Sequence, residues 1–209
     1  SDHNVTRCWT KVQVMEREEA LGELLCDDRL QNLVWDKLYR QTLFEGIRFP
    51  EGQNFEDIAV MYRLFLQADR VACLPGIVYH YRRRSDSIVG DLSLKNRMSY
   101  YQMVWERYQA LSKSWPQFID RMMTPCAISA VGIWTTYLAN SREERQQYRK
   151  QMENIAAFIR LHQTAVLKDI HLGTAGRLVL HLAAHDTWWS FVLSWLIGKL
   201  YQYKHGQAL

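Results

Sequence analysis

The sequence predicts a helix-dominant α+β fold, with a few short strands near the front followed by a C-terminal bundle of helices. Runs rich in β-branched and aromatic residues at 5–15, 70–74 and 77–82 predict the strands. After Asp91, apolar residues recur at helical spacing almost to the end of the 209 residues. We therefore expect a mixed portion over residues 1–90 and a helical extension over residues 91–209.

The front portion alternates helices with loops. The strand at Val5–Met15 is followed by an acidic turn and regularly spaced leucines, which predict a helix from Glu16 to near Cys26. A second helix is expected over Leu33–Phe44. After a loop rich in Gly and Pro, Asn54 is expected to cap a third helix. The apolar stripe of that helix consists of Ile58, Met61, Tyr62, Phe65 and Leu66.

The extension should contain several helices, so that the chain has at least five in all. One spans Leu92–Ser114 and ends at a Trp-Pro pair, and the next spans Phe118–Leu138. Ser141 is expected to cap a charged helix, with a glutamate three residues later completing a capping box. The apolar tail from Thr174 to Tyr203 divides into two helical pieces.

Composition excludes several function classes. Hydrophobic residues at 48% and charged residues at 23% are ordinary for a soluble globular protein. A net charge of +4, from 26 basic and 22 acidic residues, is too small to indicate nucleic-acid binding. The four cysteines, which are widely separated, lack the CxxC spacing of zinc and redox sites, so we expect a reducing cytoplasm. The 8 Trp and 11 Tyr suit a core, a sugar-stacking surface or a membrane boundary.

Glu56 and Asp57 form the acidic pair of the most polar stretch, Val34–Gly90. Two interpretations stay open. Acids in the first turn of a helix are favoured by its dipole and serve as caps. Alternatively, one carboxylate takes a proton from a substrate hydroxyl. A helix N-terminus lowers a carboxylate pKa whereas a general base needs a higher one, so desolvation would have to offset the helix.

A second polar cluster is the run Tyr79–Arg84. In a strand, its aromatic and basic side chains alternate between the two faces. Guanidinium groups leaving a strand end suit a pyrophosphate, which arginine grips with two hydrogen bonds. The alternative is a strand edge kept soluble by charge. His80 is a weak candidate for a metal ligand, because a lone histidine is more often packed or capped.

Several catalytic motifs are absent, and four ordered blocks are present. The chain has no GxSxG, GxGxxG, Walker loop, HExxH or D-x-D. Its blocks are WDKLYR, LFEGIRFPEG, FEDIAVMYRLFLQADR and YHYRRRSDSI. Together they resemble the second half of bacterial family-2 glycosyltransferases, which show W-N-K-L-Y, F-P-E-G, E-D and Y-x-Y-R-x-R-x-x-S-I in this order. The resemblance covers roughly residues 5–90.

The resemblance implies a GT-A fold and inverting transfer of a sugar from a nucleotide-sugar to an acceptor hydroxyl. By position, Asp57 is the general base and Glu56 lies beside it in the acceptor site. Asp36 stands where the family usually has Asn. The residues implied in substrate binding, at the donor diphosphate or lining or supporting the cleft, are Trp35, Lys37, Arg82, Arg84 and Ser87.

In that family the front half supplies the nucleotide-binding units and the D-x-D that holds the metal. We expect the full-length enzyme to use Mg or Mn and these residues to bind none. The 209 residues are therefore expected to be an acceptor-side portion, inactive alone, of an enzyme of cell-surface polysaccharide synthesis. The expected partners are a nucleotide-sugar donor and a glycan or lipid-linked acceptor. The alternative is a non-catalytic helical interaction module derived from a glycosyltransferase.

The expected location is the cytoplasm, at the inner face of the plasma membrane. Residues 187–204 carry the aromatic tail, which either docks on the membrane surface or packs on the preceding helices. A short sheet leaves unpaired edges, which favours a homodimer. The residues that would face the membrane are Trp188, Trp189, Phe191, Trp195 and Leu196.

Overall fold

The computed structural model of the chain describes residues 9–27, 29–76, 79, 91, 93–168, 173–184, 192–193 and 195–196. In these ranges the fold is α+β with helix dominant, which confirms the predicted class. Strand β1 (Gln13–Glu16) pairs antiparallel with β2 (Arg70–Cys73), so that Gln13 lies opposite Cys73.

The described part of the chain contains eight α-helices. They are α1 (Arg17–Cys26), α2 (Glu56–Gln67), α3 (Leu94–Leu111), α4 (Ile119–Ala139), α5 (Arg142–Gln147), α6 (Arg149–Leu161), α7 (Gln163–Lys168) and α8 (Thr174–Ala184). Short 3-10 helices occur at Gln41–Phe44 and Pro116–Phe118.

The chain divides into two compact units. The first consists of residues 1–91 and 102–122, and the second of residues 92–101 and 123–209. Helices α3 and α4 each contribute residues to both units. The predicted boundary at residue 90, between a glycosyltransferase-like portion and a helical extension, stays a prediction.

In the first unit, the sheet and the first two helices enclose an apolar core. Met15 is fully buried whereas Val14 beside it is exposed, as expected from the alternation of side chains along a strand. The core is lined from the helices by Leu21, Leu24, Leu25, Met61, Leu64 and Phe65. Arg17 joins the start of α1 to the chain entering β2, because its Nε donates to the Ala68 carbonyl (2.9 Å) and its Nη2 to Asp69 Oδ1 (2.7 Å).

In the second unit, amphipathic helices bury one face each. Helix α6 buries Ile155 and Ile159 and packs against α8, which buries Leu180. The predicted cap of α5 is confirmed: the Glu144 amide donates to Ser141 Oγ at 3.2 Å. A helical stretch at Pro116–Ala139 is long and apolar enough to cross a membrane by length and composition, although 44% of its apolar window is buried in the protein.

Three local predictions for the front portion were wrong. Leu33–Phe44 forms turns and one 3-10 turn instead of a helix, and the Lys37 ammonium takes up the Leu33 carbonyl, which the backbone ladder of that helix would need. Among the described residues 9–16, the front strand occupies only Gln13–Glu16, which pairs with the four residues of β2, and residues 5–8 of the predicted strand lie outside the described residues. Phe55, not Asn54, is the N-cap of α2.

Most other boundaries are confirmed to within a few residues. Helix α1 and strand β2 occupy the predicted positions, and the stripe of α2 is buried at Ile58, Met61, Tyr62 and Phe65. The predicted strand at Ile77–Arg82 and the second piece of the tail lie almost entirely outside the described residues.

Candidate active site

The WDKLY block folds into a turn that its own lysine holds together. The Lys37 Nζ donates to the carbonyls of Gln31 and Leu33, both at 2.7 Å, and to Asp36 Oδ1 at 2.6 Å. An ammonium group has three donors, and here all three are used. The side chain is only 12% exposed. Lys37 therefore fixes the shape of this turn, and Asp36 supplies one of the three acceptors.

A buried asparagine anchors the same turn to the first unit. Asn32 Nδ2 donates to Asp27 Oδ1 (2.9 Å) and to the Leu24 carbonyl (3.3 Å), and its backbone amide donates to the same Asp27 oxygen (2.8 Å). The buried Arg107 donates through Nη1 to Asn32 Oδ1 at 3.1 Å. Asp27 ends α1 in the left-handed conformation, with φ of 53°. These bonds join the end of α1, the turn and α3.

Tyr39 connects this turn to helix α2. Its hydroxyl lies 3.2 Å from the Val34 carbonyl and 3.3 Å from Met61 Sδ, and its ring meets Phe44 edge to face at a centroid distance of 5.5 Å. Burial raises the pKa of the Tyr39 hydroxyl, and the charge of Asp36 adds to the rise. The hydroxyl is therefore protonated at neutral pH and serves as a hydrogen-bond donor.

Asp57 lies in the first turn of α2, four residues before Met61 and hence on the same face of the helix. Its Oδ1 accepts a hydrogen bond from the Ile58 amide at 2.8 Å. Burial raises the pKa of the half-buried Asp57 carboxyl; the Ile58 hydrogen bond opposes this, and repulsion from Glu56 and Asp27 adds to it. The net change is upward, so the protein itself offsets the effect of the helix N-terminus.

The residue before the acidic pair has an unusual backbone conformation. Phe55 has φ of 63° and ψ of 34°, in the left-handed region that bulky residues rarely adopt. Such a conformation costs about 1–3 kcal/mol, and strained residues are enriched at active sites. The strain here fixes the direction in which Glu56 and Asp57 leave the loop.

Trp35 and Tyr79 form a tilted aromatic pair at the surface. Their ring centroids are 4.3 Å apart with an angle of 33° between the planes. Trp35 is 39% exposed and Tyr79 is 48% exposed. Because Trp35 follows Val34, whose carbonyl faces the Tyr39 hydroxyl, the pair is connected through Tyr39 and Met61 to the helix that carries Asp57.

Of the predicted site residues, Glu56, Asp57, Trp35 and Lys37 are described, and all belong to the first unit. The others, Arg82, Arg84, Ser87 and the candidate His80, lie outside the described residues. Two clefts are also present, of about 440 Å³ along α1 and about 280 Å³ beside α5, and neither is lined by any predicted site residue.

The metal expected for the full-length enzyme has no matching ligands in the described ranges. These ranges contain no group of three or more His, Cys, Asp or Glu side chains arranged to hold a metal ion.

Sequence reasoning missed three residues that position the turn. Tyr39 lies in the WDKLYR block, but its contact with Met61 could be found only from the three-dimensional structure. Asn32 and Arg107 lie 75 residues apart in sequence, and no local pattern indicated that both are buried. Two buried polar side chains outside any motif are found only when the packing is known.

Comparison with known proteins gives one partial similarity. The chain is 40% identical over 53 residues to the protein named glycosyltransferase GlyG from Streptococcus pneumoniae serotype 4. The similarity covers 25% of this chain and 18% of that protein, so the chain spans less than a fifth of the relative's length. No family model matches the chain, and no solved structure matches it. Part of the chain is thus similar to a glycosyltransferase.

Proposed function

We propose that this chain is the acceptor side of an inverting family-2 glycosyltransferase with a GT-A fold, in which Asp57 is the general base. In the reaction, Asp57 accepts the proton of an acceptor hydroxyl while that oxygen attacks the anomeric carbon of the donor sugar. The bond from that carbon to the diphosphate breaks, and the nucleoside diphosphate leaves. The configuration at the anomeric carbon is inverted.

The observation that carries this proposal is that the Asp57 carboxyl is half-buried and that its pKa is raised. A carboxylate that served only as a first-turn acid would be exposed and would have a lowered pKa. Burial instead raises the pKa of Asp57 toward the range useful for a base. The strained Phe55 immediately before the pair supports the same conclusion.

The test uses the full-length enzyme that carries these residues, supplied with a panel of nucleotide-sugars. Asp57→Asn should reduce sugar transfer by about 10²–10⁴-fold, the usual contribution of a general base. Glu144→Gln is the matched control, because Glu144 also lies in the first turn of a helix, α5, and belongs to the second unit. It should leave transfer unchanged.

Persistent transfer by a folded Asp57→Asn enzyme would identify Asp57 as a simple first-turn acid and refute the proposal. Absence of transfer by the unmutated full-length protein with every donor would favour the non-catalytic interaction module instead. Transfer by the 209 residues alone would refute the proposal that they are an inactive portion of the enzyme.

We also propose that the tail binds the inner membrane surface, where a lipid-linked acceptor would be located. Within the tail, Leu193, Trp195 and Leu196 are exposed, which supports membrane docking over packing. Removal of residues 187–204 should abolish co-sedimentation with anionic liposomes. Equal co-sedimentation of both forms would contradict the proposal.

A further inference from the structure

The aromatic pair Trp35–Tyr79 leaves large apolar surfaces in water. Aromatic side chains contribute most to stability when buried, as Tyr62 and Tyr101 are in this protein. Trp35 and Tyr79 instead remain 39% and 48% exposed while their tilted rings contact each other at a centroid distance of 4.3 Å. These two adjacent, half-exposed rings offer a ligand a broad aromatic surface.

The position of Trp35 in this pair is fixed before any ligand binds. Lys37 holds the turn that carries Trp35 through three hydrogen bonds of 2.6–2.7 Å. Tyr39 then links Val34 to Met61, one turn along α2 from Asp57. A rigid aromatic surface loses little conformational entropy on binding, which favours even weak ligands.

We propose that Trp35 and Tyr79 form a sugar-binding platform for the acceptor glycan, in which one pyranose ring stacks on the face of Trp35 or Tyr79 that the other ring leaves open. This inference rests on the proposed function. The C–H groups on one face of a pyranose are apolar and slightly positive, and they complement the negative face of an aromatic ring. Because the general base must reach an acceptor hydroxyl, a platform joined to the helix of Asp57 suits the acceptor.

A nucleobase also stacks on aromatic rings, so the experiment must separate the two ligands. We would titrate the 209-residue chain with the methyl glycosides of glucose, galactose and N-acetylglucosamine, and separately with uridine monophosphate. Saturation-transfer NMR reports which ligand protons contact the protein and gives the Kd. At least one glycoside should bind through the C–H protons of one ring face, and more tightly than uridine monophosphate.

Trp35→Ala and Tyr79→Ala should each weaken glycoside binding about tenfold, the effect of removing roughly 50 Å² of buried apolar contact. Trp35→Phe retains a ring and should weaken it by less. Trp195→Ala is the matched control, because Trp195 is 40% exposed, almost as much as Trp35, and belongs to the other unit. It should leave glycoside binding unchanged.

Failure of the platform and failure of the proposed function give different results. Asp57→Asn should reduce transfer by the full-length enzyme about 10²–10⁴-fold and leave glycoside binding by the chain intact. Trp35→Ala should raise the acceptor KM much more than it lowers kcat. The platform is refuted if no glycoside binds, if uridine monophosphate binds more tightly, or if the folded Ala variants bind glycosides as well as the unmutated chain does.

Discussion

Replacing Lys37 by Met tests whether the ammonium fixes the turn of the WDKLY block. The substitution keeps an unbranched side chain one atom shorter and removes three donors, whose bonds to Gln31, Leu33 and Asp36 measure 2.6–2.7 Å. A hydrogen bond that involves a charged group contributes about 1.5–3 kcal/mol. The turn lies near the surface, so hydrogen bonds from water can replace part of the lost stabilisation. We therefore expect a loss of about 2–3 kcal/mol in the free energy of unfolding.

The assay is urea unfolding followed by circular dichroism, in which a loss of this size lowers the midpoint by about 1 M. Lys113→Met is the control, because Lys113 is exposed and lies in the same unit; it should change stability by less than about 0.5 kcal/mol. If both variants unfold at the midpoint of the unmutated protein, Lys37 does not hold the turn. Its side chain would then be available for a ligand, contrary to our reasoning.

Three further predictions concern residues around this turn. Asn32→Ala removes the acceptor of Arg107 and the Nδ2 donor to Asp27 and the Leu24 carbonyl, so thermal unfolding should show a loss of about 3 kcal/mol; an unchanged Tm would contradict the network. Tyr39→Phe removes one hydroxyl and keeps the ring, and should cost about 1 kcal/mol in urea unfolding, whereas no loss would show that the hydroxyl is dispensable. Because the folded pKa of Asp57 is raised, the protein loses stability as pH rises from the unfolded pKa of about 3.9 through the folded one. Asp57→Asn should therefore raise the Tm at pH 7, and an unchanged or lower Tm would indicate that the ionised carboxylate stabilises the fold.

The helices and strands of the front portion could be predicted from the sequence because the residues with the apolar pattern are the ones that pack in the core. In α2, apolar residues at helical spacing are the residues that the core buries, among them Met61 and Phe65. The prediction of a helix over Leu33–Phe44 was wrong because side-chain hydrogen bonds to the backbone, above all from Lys37, compete with helix formation. No periodicity in the sequence reports such bonds.

The acidic pair could be located from sequence, but the choice between its two interpretations could not. Whether Asp57 is a cap or a base depends on its pKa, and burial by the surrounding fold is the largest influence on that pKa. Similarly, the WDKLYR block indicated a functional site, but its lysine, Lys37, donates its hydrogen bonds within the turn. The exposed pairing of Trp35 with Tyr79 joins residues 44 positions apart and required coordinates.

The most direct test of the central claim is the pH dependence of kcat/KM for sugar transfer by the full-length enzyme. If Asp57 is the general base, the acid limb of the profile reports its pKa in the free enzyme. This value should lie above that of an ordinary aspartate and should equal the pKa of the Asp57 carboxyl measured by carbon-13 NMR. An acid limb that differs from the NMR value, or that persists unchanged in a residual activity of Asp57→Asn, would contradict the assignment of Asp57 as the base.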